Sequence, residues 1–394
     1  MRELSKFAGA IQGSKVVENR RRADRLAERG IEIIDFGAGE PDFDAPPVVI
    51  EAAIEALRTG RSHYVDPRGL PELRARIAAF EQQKHGWSPT AEQVVVTSGS
   101  FCALSLITRA LLNPGDEVLI LEPLWGPYRS MVTLCGAIPV AVPAAIHQGR
   151  VALDVEALQA RVGPKTRAVI VNTPNNPSGT LLSDGELSAI ARLAEKHDLW
   201  IIADEVYADL VFEGRHRSIA ALSPETAART VVATSLSKTY ALTGWRIGYC
   251  LAPPDVVDVL ARINHYTVRC AASFVQYGAI AAYDSAGADV DRMRRAYHKR
   301  RDIITGRINR LPGFHFTAPQ GAFYAFPEVP AALGDGDRFS TALLDELGVV
   351  TTPGSSYGES TRQFVRFSFA LSEQQIEAGF DRIERWLASA KKEP

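Results

Sequence analysis

The sequence predicts an α/β protein: a large domain with a mainly parallel sheet sandwiched by helices, plus a smaller α+β domain. Three observations predict it. Between about residues 94 and 235, short apolar runs alternate with amphipathic helical stretches, the order that builds a parallel sheet through helical crossovers. Several runs, such as "RAVIVNTP" and "LWIIADE", are apolar almost throughout, as strands covered on both faces must be. After about residue 290 the texture changes to a charged helix, strands and a final helix. The 394 residues, 46% hydrophobic and 23% charged, suffice for two domains with sizeable cores. The expected division is an N-terminal segment, 1–45, contributing to the small domain, a large domain over 46–285 and a small domain over 286–394.

Taken in order, residues 14–29 are basic and helical in pattern, and Gly30 suits a helix end. "IEIIDFGAGEPDFDAPP" reads as a short strand running into a Gly/Pro loop. "LPELRARIAAFEQQKHG" is a helix with Pro71 in its first turn, Leu73, Ile77 and Phe80 on one face, and Gly86 as its stop. "QVVVTSG" is a strand, and "SFCALSLITRALLNPGD" a helix with Leu104, Ile107 and Leu111 on one stripe. "EVLILEP" and "RAVIVNTP" are strands. "SDGELSAIARLAEKHD" is a helix opened by Ser183 with Glu186 three residues on, a capping box. "LWIIADE", "TVVATS" and "WRIGYCLA" read as strands, with Arg246 on the last. The second domain opens with the helix "DRMRRAYHKRRDIITGRI", continues through strands "HFTAPQGAFYAFPEV" and "FVRFSFAL", and ends in a helix.

Composition excludes several classes. A net charge of −2 and a pI near 6.5 give no basic field for nucleic acid. No apolar run approaches the roughly 18 residues of a membrane span, and the first residues lack the apolar core of a secretory signal. Cys102, Cys135, Cys250 and Cys270 are far apart without a C-x-x-C, so reduced, buried thiols and a cytoplasmic setting are expected. No H-x-x-x-H or H-E-x-x-H pair occurs among the eight histidines, so no metal site is expected.

Open parallel sheets bind ligands beyond the carboxyl ends of their strands, and unusual polar residues cluster there. They are Ser98-Gly99-Ser100, Pro123-Leu124-Trp125, Asn175-Asn176-Pro177, Asp204-Glu205-Val206-Tyr207 and Ser235-Leu236-Ser237-Lys238. The turn at Gly99-Ser100-Phe101 opens a helix, so its free N–H groups and dipole suit a phosphate; taken alone, a plain strand–helix turn is the better reading. Neither G-x-G-x-x-G nor a nucleotide P-loop is present. Asp204 ends an apolar strand, where a carboxylate wants a cation such as a protonated pyridine nitrogen; a helix-capping acid is the ordinary alternative. Lys238, desolvated near a cation, would be a neutral amine able to form a Schiff base. Its ordinary alternative is a solvated loop lysine, against which its position between two strand-like runs counts.

Eight motifs in order resemble the fold-type I, class I/II aminotransferases, which use pyridoxal 5'-phosphate. They are "FGAGEPDFDAPP", "HYVDPRGLPELR", "VVVTSGSFCAL", "PNNPSG", "ADEVY", "SLSKTYALTGWRIGY", "PQGAFYAF" and "VRFSFA", and they span nearly the whole chain. The resemblance implies that Lys238 anchors the cofactor's aldehyde and moves the proton. It implies that Asp204 pairs with the ring nitrogen, that Tyr207 and Asn176 bond the phenolic oxygen, and that Trp125 stacks on the ring. Ser100, the backbone of Phe101, Ser235, Ser237 and Arg246 would hold the phosphate. Tyr64 would reach the phosphate of a neighbouring subunit, making the working unit a homodimer with shared sites. Arg366 would clamp the substrate carboxylate, with Gly39, Asn176 and Trp125 beside it. The implied reaction moves an amino group from an L-amino acid to a 2-oxo acid. A C–S lyase, decarboxylase or synthase on the same fold is the alternative.

The best-known aspartate-specific members carry a lysine where this chain has Phe101, and a hydroxyl residue where it has Val16. Both differences favour neutral aliphatic or aromatic donors. Arg269 stands where many relatives have Ser or Thr, and is the candidate partner for an acidic co-substrate across the dimer.

Overall fold

A computed structural model describes residues 9, 11, 13, 15–147 and 149–390. Its elements begin with α1 (Lys15–Ala27), β1 (Ile34–Asp35), α2 (Pro47–Arg58) and α3 (Pro71–His85). The next stretch carries β2 (Val94–Thr97), α4 (Ser100–Leu111), β3 (Glu117–Leu121), α5 (Pro127–Leu134) and β4 (Ile138–Val142). A hairpin of β5 (Ala144–His147) and β6 (Arg150–Leu153) leads to α6 (Val155–Ala160) and β7 (Thr166–Asn172). Then come α7 (Asp184–Lys196), β8 (Trp200–Asp204), α8 (Pro224–Ala227), β9 (Thr230–Ser235), the one-turn α9 (Leu236–Thr239) and β10 (Gly248–Leu251). The chain continues with α10 (Pro254–Thr267), α11 (Ser273–Ser285) and α12 (Gly287–Arg310). It ends with β11 (Tyr324–Ala325), α13 (Gly336–Leu347), β12 (Val349–Val350), β13 (Thr352–Pro353), β14 (Val365–Ser368) and α14 (Glu373–Ala390).

The central sheet has seven strands in the order β2-β10-β9-β8-β7-β3-β4. Every pairing is parallel except those of β10, which runs antiparallel to both neighbours. Strand residues alternate strictly between two cores, as a period of two requires. Val94, Val96, Val169, Val171, Ile201, Ala203 and Val232 join one core with α3, α7 and α11. Val95, Ala168, Ile170, Ile202, Val231 and Ala233 join the other with α4, α5 and α10. A sheet clad on both faces explains the near-continuous apolar runs.

A third core joins α12, α13 and α14 to the strands near the C-terminus. The N-terminal segment enters it: β1 pairs parallel with β12, and the Phe36 ring meets Phe367 and Phe380 edge-on at 5.6 and 5.8 Å. Helix boundaries follow local chemistry. Gly86 closes α3 at φ 75, a left-handed position that glycine takes without cost. The Ser183–Glu186 capping box opens α7.

Three expectations are corrected. Arg246 is not on a strand; it ends a 3-10 turn at φ 54, two residues before β10. "HFTAPQGAFYAFPEV" forms only the two-residue β11, because Pro319 and Pro327 cannot donate to a ladder. Of the four cysteines only Cys250 is fully buried; all four are free thiols, three of them half-buried. The expectations for the first residues fall largely outside the described residues, as does the side chain of Val16. No described helix is long and apolar enough to cross a membrane.

Candidate active site

The carboxyl ends of β2, β3, β7, β8 and β9 bring the polar clusters together at one edge of the sheet. A cleft of about 540 Å³ opens there, lined by Arg20, Gly39, Glu40, Lys238, Thr243 and Arg246, among others.

Lys238 sits on α9, a single helical turn. The Ser235 hydroxyl caps that turn, accepting from Ser237 N at 2.9 Å and donating to the Ile247 carbonyl at 3.2 Å. Ser235, expected to face a phosphate, is thus engaged in shaping the turn. The Lys238 amine donates to the Gly39 carbonyl at 2.5 Å. Desolvation pushes its pKa down to about 8; Glu40 opposes the fall, while Arg246 and Arg366 add to it. The result is a lysine with a substantial neutral fraction near physiological pH, which a nucleophile needs.

Gly99 caps α4 at φ 82, and a Cβ there would lie 2.6 Å from the Arg246 guanidinium. Absence of a side chain lets Arg246 rest against the helix N-terminus at Ser100. A guanidinium beside free helical N–H groups makes a cradle for a dianion.

Asp204 ends β8 and is buried. Tyr128 on α5 donates to its Oδ2 at 2.6 Å, and the Val206 N–H reaches Oδ1 at 3.2 Å. Burial dominates and pushes the carboxyl up to about 6 despite both donors. Each oxygen keeps acceptor capacity, which a protonated ring nitrogen would fill. Trp125 stands over this region, edge-on to Tyr128 and to Phe101, each at 5.4 Å.

Arg366 on β14 is buried and, among the described residues, meets no carboxylate. Its guanidinium donates to Asn176 Oδ1 at 3.0 Å and to the Gly37 carbonyl at 2.6 Å. It lies over the Tyr324 ring at 4.4 Å, and its Nε has no partner. A buried cation without an anion is costly, and a carboxylate is the ligand that satisfies a planar fork of donors. The Tyr207 and Tyr324 hydroxyls share a hydrogen bond at 2.7 Å, and a Cβ on Gly39 would meet the Tyr324 hydroxyl at 2.8 Å.

The structure therefore gathers Lys238, Gly39, Asp204, Tyr207, Asn176, Trp125, Arg246, Arg366 and the Ser100–Phe101 turn. Tyr64 does not line the cleft of its own chain. It is 76% exposed, with the Arg269 guanidinium 4.7 Å from its ring. Sequence reasoning missed Tyr128 and Tyr324. The signals were present: Tyr128 stands three residues after Trp125, and Tyr324 lies inside "PQGAFYAF". Among the described residues no cluster of His, Cys, Asp or Glu could hold a metal ion.

The sequence profile of the family described as aminotransferase class I and II matches residues 31–383. The aspartate aminotransferase of Geobacillus stearothermophilus is 36% identical over 98% of this chain and 99% of its own length. An arginine–pyruvate transaminase of Pseudomonas aeruginosa is 36% identical over 92% of each. The crystal structure of an aromatic aminotransferase from Pyrococcus horikoshii superposes with a TM-score of 0.88 at 36% identity, covering 94% of this chain and 99% of that one.

Proposed function

The chain belongs to the class I and II aminotransferases, and we propose that it binds pyridoxal 5'-phosphate and transfers the amino group of a neutral L-amino acid to a 2-oxo acid. One observation carries the reading. Two cations without carboxylate partners among the described residues converge on neighbouring carbonyls: Lys238 on Gly39 and Arg366 on Gly37. An amine-reactive centre and a carboxylate clamp, held at carbonyls two residues apart, suit the two groups of an α-amino acid.

The residues fit the cofactor. Arg246 and the α4 N-terminus, with the turn bearing Ser100 and Phe101, supply a phosphate cradle. The spare acceptor capacity of Asp204 suits a ring N–H, and Trp125 offers an aromatic face. The hydroxyl of Tyr207 and the amide donor of Asn176 suit a ring oxygen. When bound, this group supplies an aldehyde for amines and a ring that takes up the electron pair left at Cα. Arg366 holds the α-carboxylate and so fixes which bond at Cα is presented. The Lys238 Nζ, within reach of Gly39, is placed to take the Cα proton and return it as a general acid. Asp204, whose ionised form Tyr128 and Val206 favour against burial, would hold positive charge on the ring nitrogen.

The large unit, 46–285, would carry the cofactor. The small unit, 286–394, with residues 1–45 would close on the substrate carboxylate through Arg366. The exposure of Tyr64 and its cover by Arg269 support a homodimer in which Tyr64 serves the partner's phosphate site. Four free thiols among the described residues agree with a cytoplasmic setting.

The test is a half-reaction. The purified protein loaded with the cofactor is mixed with single L-amino acids, then with pyruvate or 2-oxoglutarate, while cofactor absorbance is followed. Reversible conversion to the amine form of the cofactor is expected, with Lys238→Ala losing several orders of magnitude in rate. Release of sulfide or carbon dioxide without that conversion would establish a lyase or decarboxylase instead.

A further inference from the structure

Next to Thr239, at the end of α9, lies a buried polar layer that the reaction above does not use. Lys238 and Thr239 part there: the lysine amine goes to Gly39, while the Thr239 hydroxyl donates to Asp209 Oδ2 at 3.0 Å. The other oxygen of Asp209 faces His85 Nε2 at 3.6 Å. His85 stacks edge-on against His216 at 5.3 Å, and its Nδ1 is buried without a partner, 3.8 Å from Glu81. Tyr249 donates to Glu81 at 2.6 Å. Glu205, the residue after Asp204, takes His216 at 3.1 Å and Ser218 at 2.8 Å. Three carboxyl groups and two imidazoles thus form one buried layer that meets the turn carrying the reactive lysine through Asp209 and Thr239.

A four-residue helix has no stability of its own, so its tethers decide where Lys238 points. Ser235 fixes the first turn residue. At the other end, among the described residues, the side-chain tether is Thr239 to Asp209. We propose that Asp209, acting through the Thr239 hydroxyl, is a positioning residue for Lys238, with His85, Glu81 and Glu205 forming the wall that keeps Asp209 in place. The proposal rests on the reading of Lys238 as the anchoring amine.

Burial disfavours charge on His85, and His216 and Arg215 push the same way against Asp209 and Glu205. Burial works against charge on Glu205 too, but His216, His85 and Ser218 outweigh it and hold its carboxyl below the ordinary range. Among the described residues the Thr239 hydroxyl, at 3.0 Å, is the nearest side-chain donor to Asp209, with His85 Nε2 farther off at 3.6 Å. Loss of the Thr239 bond frees the turn, changing the burial that chiefly sets the amine's proton affinity and its distances to Glu40, Arg246 and Arg366.

The experiment uses the full-length chain and two readouts. One is kcat and KM of the cofactor-loaded enzyme. The other needs no turnover: the pH dependence of Lys238 labelling by trinitrobenzenesulfonate in cofactor-free protein, read by peptide mass. Thr239→Val should lower kcat about tenfold with KM within about twofold, as loss of a positioning contact does, and should move the labelling midpoint. Thr239→Ser should restore both, and Asp209→Asn, which keeps an acceptor, should lie near the parent. Thr239→Val with Asp209→Ala should cost no more than either change alone, since contacting partners are not additive. Parent-like kcat and labelling in Thr239→Val overturn the proposal. So do additive losses in the double variant, or a lower melting temperature that Thr239→Ser does not relieve. Absence of transamination in the parent would sink the functional reading while leaving the labelling test intact.

Discussion

Tyr128 donates its hydroxyl proton to Asp204 Oδ2 at 2.6 Å, and both groups are buried. The bond opposes what burial does to the carboxyl, whose pKa stands at about 6 with the bond in place. A donor to the ionised form lowers a carboxyl pKa, so its removal raises it. Tyr128→Phe should leave Asp204 protonated over a wider range of pH and less able to hold charge on a ring nitrogen. The acid limb of kcat against pH is expected to move upward, and kcat at pH 7 to fall about tenfold, near 1.4 kcal/mol. An unmoved acid limb would make Tyr128 a packing residue only.

Arg366 makes the second prediction. Its fork reaches Asn176 and Gly37 while Nε remains without a partner. Lysine keeps the charge but not the fork. Arg366→Lys is therefore expected to raise KM for amino acids about 100-fold, near 2.7 kcal/mol, in line with lost charged hydrogen bonds. The melting temperature should not rise, because lysine keeps the buried charge and with it the desolvation cost. Steady-state kinetics and a thermal melt check both; a normal KM would move the carboxylate site elsewhere.

Most of the fold was legible because the central strands are clad on both faces and read as apolar runs. The site was legible where chemistry demands unusual residues at strand ends: Asp204 after an apolar strand, Lys238 between two strands. Tyr128 and Tyr324 were not, because a buried tyrosine looks the same in sequence whether it packs or donates. Arg246 was placed on a strand because "WRIGYCLA" is apolar enough to begin early. Its φ of 54 and the approach of its guanidinium to Gly99 are features of the tertiary fold that no local pattern encodes. The layer around Asp209 draws on α3, the segment after β8 and α9, so only the tertiary fold reveals it.

Glu81 gives a stability prediction. Burial, with Glu205 and Asp209 adding, pushes its carboxyl up to about 8, although Tyr249 donates to it. The folded state then holds a proton that the unfolded state releases near 4.5. Between those values the native state binds more protons, so this group's contribution to stability falls as pH rises. Glutamine keeps an acceptor for Tyr249 and cannot ionise. Glu81→Gln should match the parent near pH 5 and melt higher than the parent near pH 8. Parallel curves across that range would remove the claim.

The last prediction concerns the donor. Phe101 is half exposed and meets Trp125 edge-on at 5.4 Å, so the wall beside the ring-stacking residue is apolar. A distal carboxylate left there without a partner would cost about 1–3 kcal/mol. An aliphatic or aromatic side chain would instead gain about 25 cal/mol per Å² buried. Arg269 is the counterweight. It adopts a left-handed φ of 70 and covers the exposed Tyr64 ring, the same Tyr64 proposed to serve the partner's site. A cation held there would accept glutamate without favouring aspartate, whose shorter chain keeps its carboxylate nearer the apolar wall. The expected order of kcat/KM is phenylalanine and leucine ahead of aspartate, with glutamate accepted. Arg269→Ala should reduce glutamate alone, because the neutral donors gain nothing from the guanidinium. Aspartate leading by about tenfold in the parent, near 1.4 kcal/mol, would show that the Phe101 wall does not set the preference.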